Sequence, residues 1–138
     1  MNKDFEIHKA AGLIIVDKKL LLEKSGGQDI YVVPGGRIEE GEISQETLVR
    51  ELFEEFKITA NQSDFEFFGS YIVKNAKIEG SKVKMETFLV KKWVGDIQID
   101  NEIESIAWVD SSNSQNLKIS PFAVDIVIPL LNKKDLIN

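Results

Sequence analysis

The sequence contains no cysteine, which excludes disulfides, thiolate zinc sites, iron–sulfur clusters and a cysteine nucleophile. It has one histidine, His8, so mechanisms that need two imidazoles are closed to it. Positive charge is scarce. Against 23 Asp and Glu stand 17 Lys and Arg, a formal net charge of −6 with a pI near 4.9. Such a surface repels a polyanion, so no nucleic-acid polymer is expected as a partner. Long apolar runs are also missing. The stretch Ala10 to Val16 is short, and Phe122 to Leu131 is broken by Asp125 and Pro129. Both fall well below the roughly 20 residues of a membrane-spanning helix. The amino-terminal MNKDFEIHKA carries no apolar signal-peptide core. The expectation is a soluble, cytoplasmic protein with no membrane partner.

What the chain does contain is ordinary for a folded domain. Its 138 residues are 43% hydrophobic and 29% charged, without repeats or linker-like tracts, which suggests a single domain over 1–138. AAGLIIV, the turn Asp17-Lys18-Lys19 and LLLEK read as two strands around a tight turn. Tyr31 to Val33 reads as a short strand stopped by Pro34-Gly35-Gly36. FEFFGSYIVKN and KVKMETFLVKKW flank a polar loop, Asn75 to Ser81, as in a β-hairpin, and Ile103 to Val109 reads as a further strand. Ser120 followed by Pro121 marks a helix start, serine as cap and proline at the first position. Strands outnumber helices and are hairpin-linked, so the class is mixed α/β without regular βαβ alternation.

A central helix is expected from a Ser44 cap to about Phe56. At 100° per residue, Leu48, Val49, Leu52, Phe53 and Phe56 share one face. Glu51, Glu54 and Glu55 gather on the other, with Arg50 at its edge. Like charges three or four apart cost about 0.2–0.5 kcal/mol per pair, and Glu51 makes two such pairs. A divalent cation would neutralise this face; a merely solvated acidic face is the plainer alternative. The glycine turn just upstream favours the cation, because glycine lets a backbone carbonyl approach a ligand and hard cations prefer oxygen donors.

The stretch GRIEEGEISQETLVRELFEEFKI, Gly36 to Ile58, resembles the signature of the Nudix hydrolase family, G-x5-E-x7-R-E-U-x-E-E-x-G-U, where U is a bulky aliphatic. Gly36, Glu42, Arg50, Glu51, Leu52, Glu54, Glu55 and Ile58 match at the required spacing. Lys57 stands where the pattern has its penultimate glycine. The resemblance implies an α/β/α sandwich with a mixed sheet. It also implies magnesium-dependent hydrolysis, with manganese as a substitute, of a small anionic nucleotide-like substrate. On the matching positions, Glu51, Glu54 and Glu55 would be metal ligands and catalytic groups, with Gly35 offering its carbonyl. Glu42 and Arg50 would support the acidic cluster. The family's late acidic ligand would be Glu102, with Glu104 as its rival, ahead of Trp108.

Arg37 is a candidate phosphate contact and Tyr31 a candidate base-stacking residue; the plain readings are an exposed arginine and a core aromatic. Subgroup markers of the family are absent. No proline lies between Pro34 and Pro121, Tyr71 sits thirteen residues past the box, and the coenzyme A motif is missing. A nucleoside triphosphate or nucleotide sugar is left as the substrate by default. The rival reading is a Nudix-fold sensor that binds a nucleotide without cleaving it, which the retained glutamates oppose. Nothing in the chain selects between a monomer and a homodimer.

Overall fold

A computed structural model describes residues 4–75, 78–100 and 102–138. Its seven strands are β1 (Ile7–Leu13), β2 (Ile15–Val16), β3 (Lys19–Ser25), β4 (Gly35–Arg37), β5 (Phe65–Lys74), β6 (Lys82–Val90) and β7 (Ile103–Val109). They form a four-stranded mixed sheet in the order β4-β1-β6-β5 and a three-stranded antiparallel sheet in the order β2-β3-β7. The chain passes from one sheet to the other at Ile14, whose carbonyl accepts the Leu21 amide at 2.9 Å. Helix α1 (Ser44–Phe56) packs on one side of this layer and the carboxyl-terminal helical segment on the other.

The two-sided packing follows from strand alternation. Successive side chains point to opposite faces. Ala10 and Leu21 therefore join the core beneath α1, with Leu48, Leu52 and Phe56. Ala11, Leu20 and Leu22 join the opposite core, with Val127 and Leu131. This is the expected α/β/α sandwich.

Most expected elements form, with instructive shifts. The Asp17-Lys18 turn has φ of 52° and 61° and joins Val16 to Lys19, the two-residue hairpin turn whose twist suits paired strands. Ser120 Oγ accepts the Ala123 amide at 3.3 Å, so Ser120 caps the last helix as expected. That helix opens as a π-helical stretch (Phe122–Val127), with the Ile128 amide donating to Ala123, before the α-helical turns of α2 (Ile128–Lys133). Pro129 explains the widening: it has no amide, and its ring crowds the carbonyl four residues back. β5 and β6 pair as the expected hairpin, slipping register between Phe67 and Gly69. Residues 76 and 77 of its polar loop lie outside the described residues.

Three local expectations are corrected. Tyr31 to Val33 do not form a strand; Val32 bridges Glu23 and Tyr31 bridges Ile119 singly. The strand forms at the glycines themselves, Gly35–Arg37, antiparallel to Lys9–Ala11. Gly35 has φ of 148°, and a β-carbon there would collide with the Ala10 carbonyl oxygen, so only glycine pairs this closely. At the start of α1 the cap position is Ile43 rather than Ser44. Glu46 Oε1 accepts the Ile43 amide at 2.9 Å, while the Ser44 hydroxyl donates to Gln45 instead. The buried face of α1 is also rotated. Thr47, Leu48, Leu52, Glu55 and Phe56 are buried, whereas Phe53, expected inside, is 54% exposed. The acidic edge of α1 turns inward because Gly36 lacks a side chain: a β-carbon there would collide with Glu51.

Candidate active site

The rotated helix delivers two of its glutamates to a cavity of about 180 Å³ between α1, β1 and β3. Glu23, Glu51, Glu55, Glu102 and Gly35 line it, together with Lys9, Lys74, Ser25 and Asn75. Val33, Met85 and Phe122 supply an apolar wall.

Arg50 organises the acidic side. Its Nε donates to Glu42 Oε2 and its Nη2 to Glu42 Oε1, both at 2.9 Å, a two-pronged pairing that fixes the guanidinium plane. Nη1 reaches Glu51 Oε1 at 2.9 Å and lies 3.5 Å from Glu54 Oε2. Glu42 also accepts the Glu39 amide at 3.0 Å and the Thr47 hydroxyl at 2.9 Å. With Arg50 first among these donors, its carboxyl is pushed down to about 2. Glu42 is thus a permanent anion, and Arg50 is the link between it and Glu51. Glu51 itself is pulled both ways: burial raises its pKa, and Arg50 opposes the rise.

Glu55 has no such help. It is 8% exposed, and neither carboxylate oxygen meets a hydrogen-bond donor. Burial, then the neighbouring carboxylates of Glu23 and Glu51, push its pKa well above the carboxylate range. An anion so placed needs a proton or a cation. The carboxylates that line the cavity offer oxygen ligands, which suits magnesium or manganese and not a soft metal. Among the described residues, no three acidic or histidine side chains close into a preformed cage. Arg50 holds Glu51, and the cavity stays open enough for ligand waters. The residue set fits a hard divalent cation.

The remaining expected residues are divided. Glu102 lines the cavity, and its carbonyl accepts the Gly26 amide at 2.9 Å. Glu104 faces elsewhere, paired with Lys24 at 2.9 Å. Glu54 stands at the exposed edge beside Arg50 and is not among the lining residues. Nor are Arg37 and Tyr31. Arg37 is exposed, contributing a backbone carbonyl to Arg50 at 3.3 Å. Tyr31 packs against the core under the last helix, and its hydroxyl lies 2.8 Å from Ser105 Oγ. Trp108 packs, as expected, against the α1 core. His8 sits 3.4 Å from Glu86, away from the cavity. Lys57 adopts φ of 60° at the end of α1, the backbone state the pattern's glycine would supply. Its Nζ pairs with Asp100 at 2.9 Å and reaches the Glu54 carbonyl at 3.3 Å.

Sequence reasoning missed Glu23. It is 5% exposed on β3 and faces Glu55. Its sign in the sequence is a charge set at the end of the leucine run LLLEK, two residues after Leu21, which packs beneath α1.

An acidic helix packed over a glycine strand, inside a mixed α/β/α sandwich, defines a Nudix-type domain. The family model described as NUDIX domain matches residues 6–127, and the chain belongs to the Nudix hydrolase family. It is 30% identical over 105 residues to the uncharacterized Nudix hydrolase YvcI of Bacillus subtilis (strain 168). That alignment covers 76% of this chain and 66%, just under two-thirds, of the relative. Among solved structures, the MutT protein from Methanosarcina mazei Go1 superposes with a TM-score of 0.74 at 20% identity, covering 94% of each chain. The E. coli ORF135 protein gives 0.69 at 23% identity, over 93% of this chain and 91% of that one. Both likenesses are likenesses of fold. No helix among the described residues is long and apolar enough to cross a membrane.

Proposed function

We propose that the protein is a pyrophosphohydrolase, dependent on magnesium or manganese, that cleaves a phosphoanhydride in a nucleoside triphosphate or a nucleotide sugar. The observation that carries this reading is Glu55, a buried carboxylate with no hydrogen-bond donor, set beside Glu51 and the Gly35 turn in one cavity. A bound divalent cation would supply charge neutralisation at the phosphate oxygens and acidify the attacking water.

Glu51, Glu55, Glu102 and the Gly35 carbonyl are the groups to hold that cation, with Glu54 as an outer acidic contact. The roles of the protein groups follow from their tethers. Arg50, locked to Glu42, keeps Glu51 directed toward Gly36, so that Glu51 can accept a proton from water without swinging away. Removal of that proton by a placed carboxylate accounts for about 10²–10⁴-fold of rate. Among the described residues, Lys9 and Lys74 are the cationic side chains that line the cavity, and phosphate contact is assigned to them in preference to Arg37. The wall of Val33, Met85 and Phe122 suits the nucleoside better than the off-site Tyr31 does.

The test is release of phosphate, pyrophosphate or nucleotide from a panel of nucleoside triphosphates, nucleotide sugars and dinucleotides with magnesium. Turnover of at least one, abolished by chelator, is expected. Tight binding of a nucleotide without turnover would replace this reading with the sensor one.

A further inference from the structure

We propose that Tyr71, folded over Gly69 at a bulge in β5, is a positioning residue that holds Phe122 against the base of a bound nucleotide. The proposal rests on the reading of Val33, Met85 and Phe122 as the nucleoside wall of the cavity.

Strand alternation sets up the arrangement, and one extra residue redirects it. At the start of β5, Phe65 packs against the α1 core and Phe67 lies edge-on to Phe88 at 5.7 Å. Period-two alternation would carry Tyr71 and Val73 to that same face. The register slip between Phe67 and Gly69 leaves Phe68 as the extra residue, and the faces exchange beyond it. Tyr71 and Val73 consequently pack against the opposite core, where Val73 reaches the cavity. Tyr71 itself is not among the lining residues. Its ring lies back along the strand over Gly69, where a β-carbon would collide with both the ring and the hydroxyl. From there it meets the Phe122 ring, 5.9 Å away between centroids and tilted by 53°. Among the described residues, Phe122 is the one aromatic side chain that lines the cavity. The Ser120 cap and the π-helical turn ahead of Pro129 fix where Phe122 leaves the backbone, and Tyr71 fixes the ring. Lifting Tyr71 with a β-carbon at Gly69, or removing its ring, frees Phe122 to leave its packed rotamer. An aromatic face held in this way suits a flat nucleobase, and such stacking changes affinity by about fivefold or more.

The experiment compares, by calorimetry with Mg²⁺ present, the binding of AMP, GMP, CMP and UMP with that of ribose 5-phosphate, which lacks a base. Wild type should bind at least one nucleotide more tightly than ribose 5-phosphate. Gly69→Ala and Tyr71→Leu should each cut that preference by about fivefold or more while ribose 5-phosphate binding stays unchanged. Tyr71→Phe keeps the ring and should keep the preference. So should Ile72→Ala, which alters an exposed β5 side chain on the other face. Should Gly69→Ala not fold, Tyr71→Leu leaves the bulge glycine in place and carries the same expectation. Equal weakening of nucleotide and ribose 5-phosphate in Gly69→Ala and Tyr71→Leu would mark Tyr71 as a packing residue and overturn the proposal. If Phe122→Leu abolishes the preference and Gly69→Ala and Tyr71→Leu do not, only the positioning role fails. If wild type shows no preference for a base, the nucleoside wall and the proposal fall together.

Discussion

Replacing Glu55 by glutamine should stabilise the metal-free protein, and the structure sets the size of the effect. The Glu55 carboxyl is held protonated by burial, then by Glu23 and Glu51. In the unfolded chain the same group ionises near pH 4.3. Folding therefore keeps a proton that the unfolded chain gives up above that pH. Stability from this group is full below about pH 4.3 and falls as pH rises toward the folded-state pKa. Each pH unit costs at most about 1.4 kcal/mol, so by pH 7 the upper bound is roughly 3.7 kcal/mol. Sharing of the proton with Glu23 and Glu51 reduces it, and about 2–4 kcal/mol is the working range.

Glutamine removes the titration, keeps the shape and can donate to Glu23 or Glu51. Metal-free Glu55→Gln should melt about 10 °C above wild type at pH 7. The two proteins should converge near pH 4.5. Glu51 titrates in the same direction as Glu55. Glu42 and Asp110 have lowered pKa values, so their contributions are lost only as pH falls below the ordinary carboxylate range, outside the window of interest. Thermal melts in chelator at pH 5, 6, 7 and 8 give the measurement. Wild type should lose stability across this series, and Glu55→Gln should lose clearly less, keeping only the part that belongs to Glu51. A metal-free Glu55→Gln that melts below wild type at pH 7 would refute the reasoning. So would a wild-type melting temperature constant from pH 5 to pH 8.

Three further outcomes are expected. Glu51→Gln should lower kcat by at least about 10²-fold in the substrate panel while circular dichroism stays unchanged, because it removes the proposed base; near wild-type turnover would exclude that role. Glu102→Gln should reduce turnover more than Glu104→Gln, since Glu102 lines the cavity and Glu104 is tied to Lys24; the reverse order would move the late acidic role to Glu104. Lys57→Gly should relieve a left-handed backbone strain of about 1 kcal/mol while losing an exposed ion pair and a helix-end charge of similar total worth. Urea unfolding should thus show a change within about 1 kcal/mol and kinetics a kcat/KM within a few-fold, whereas a hundredfold fall would place Lys57 at the substrate.

The parts of the fold that were legible in the sequence are those decided by local chemistry. The Asp17-Lys18 turn, the Ser120 cap with Pro121, the β5–β6 hairpin and α1 itself depend on residues close together in the chain. The exposure of Phe53 was not legible. A helical wheel orders side chains by angle, but the face that turns inward depends on what lies below, here a glycine strand that admits Glu51. β4 was hidden for a related reason: glycines read as breakers, yet Gly35 is what allows β4 to lie against Ala10 and Ala11. Tyr31 and Arg37 are candidates by chemistry alone; chemistry without topology does not say which side of a strand faces the cavity, and neither residue lines it. Glu23 is the converse case. Period-two alternation already put Glu23 on the same face as Leu21 and opposite to Leu20 and Leu22. What the sequence lacked was the docking of α1, which turns that face from one half of a core into the wall of an acidic cavity. A charge at the end of a leucine run, on the face that meets an acidic helix, is therefore the pattern that points to a long-range carboxylate pair.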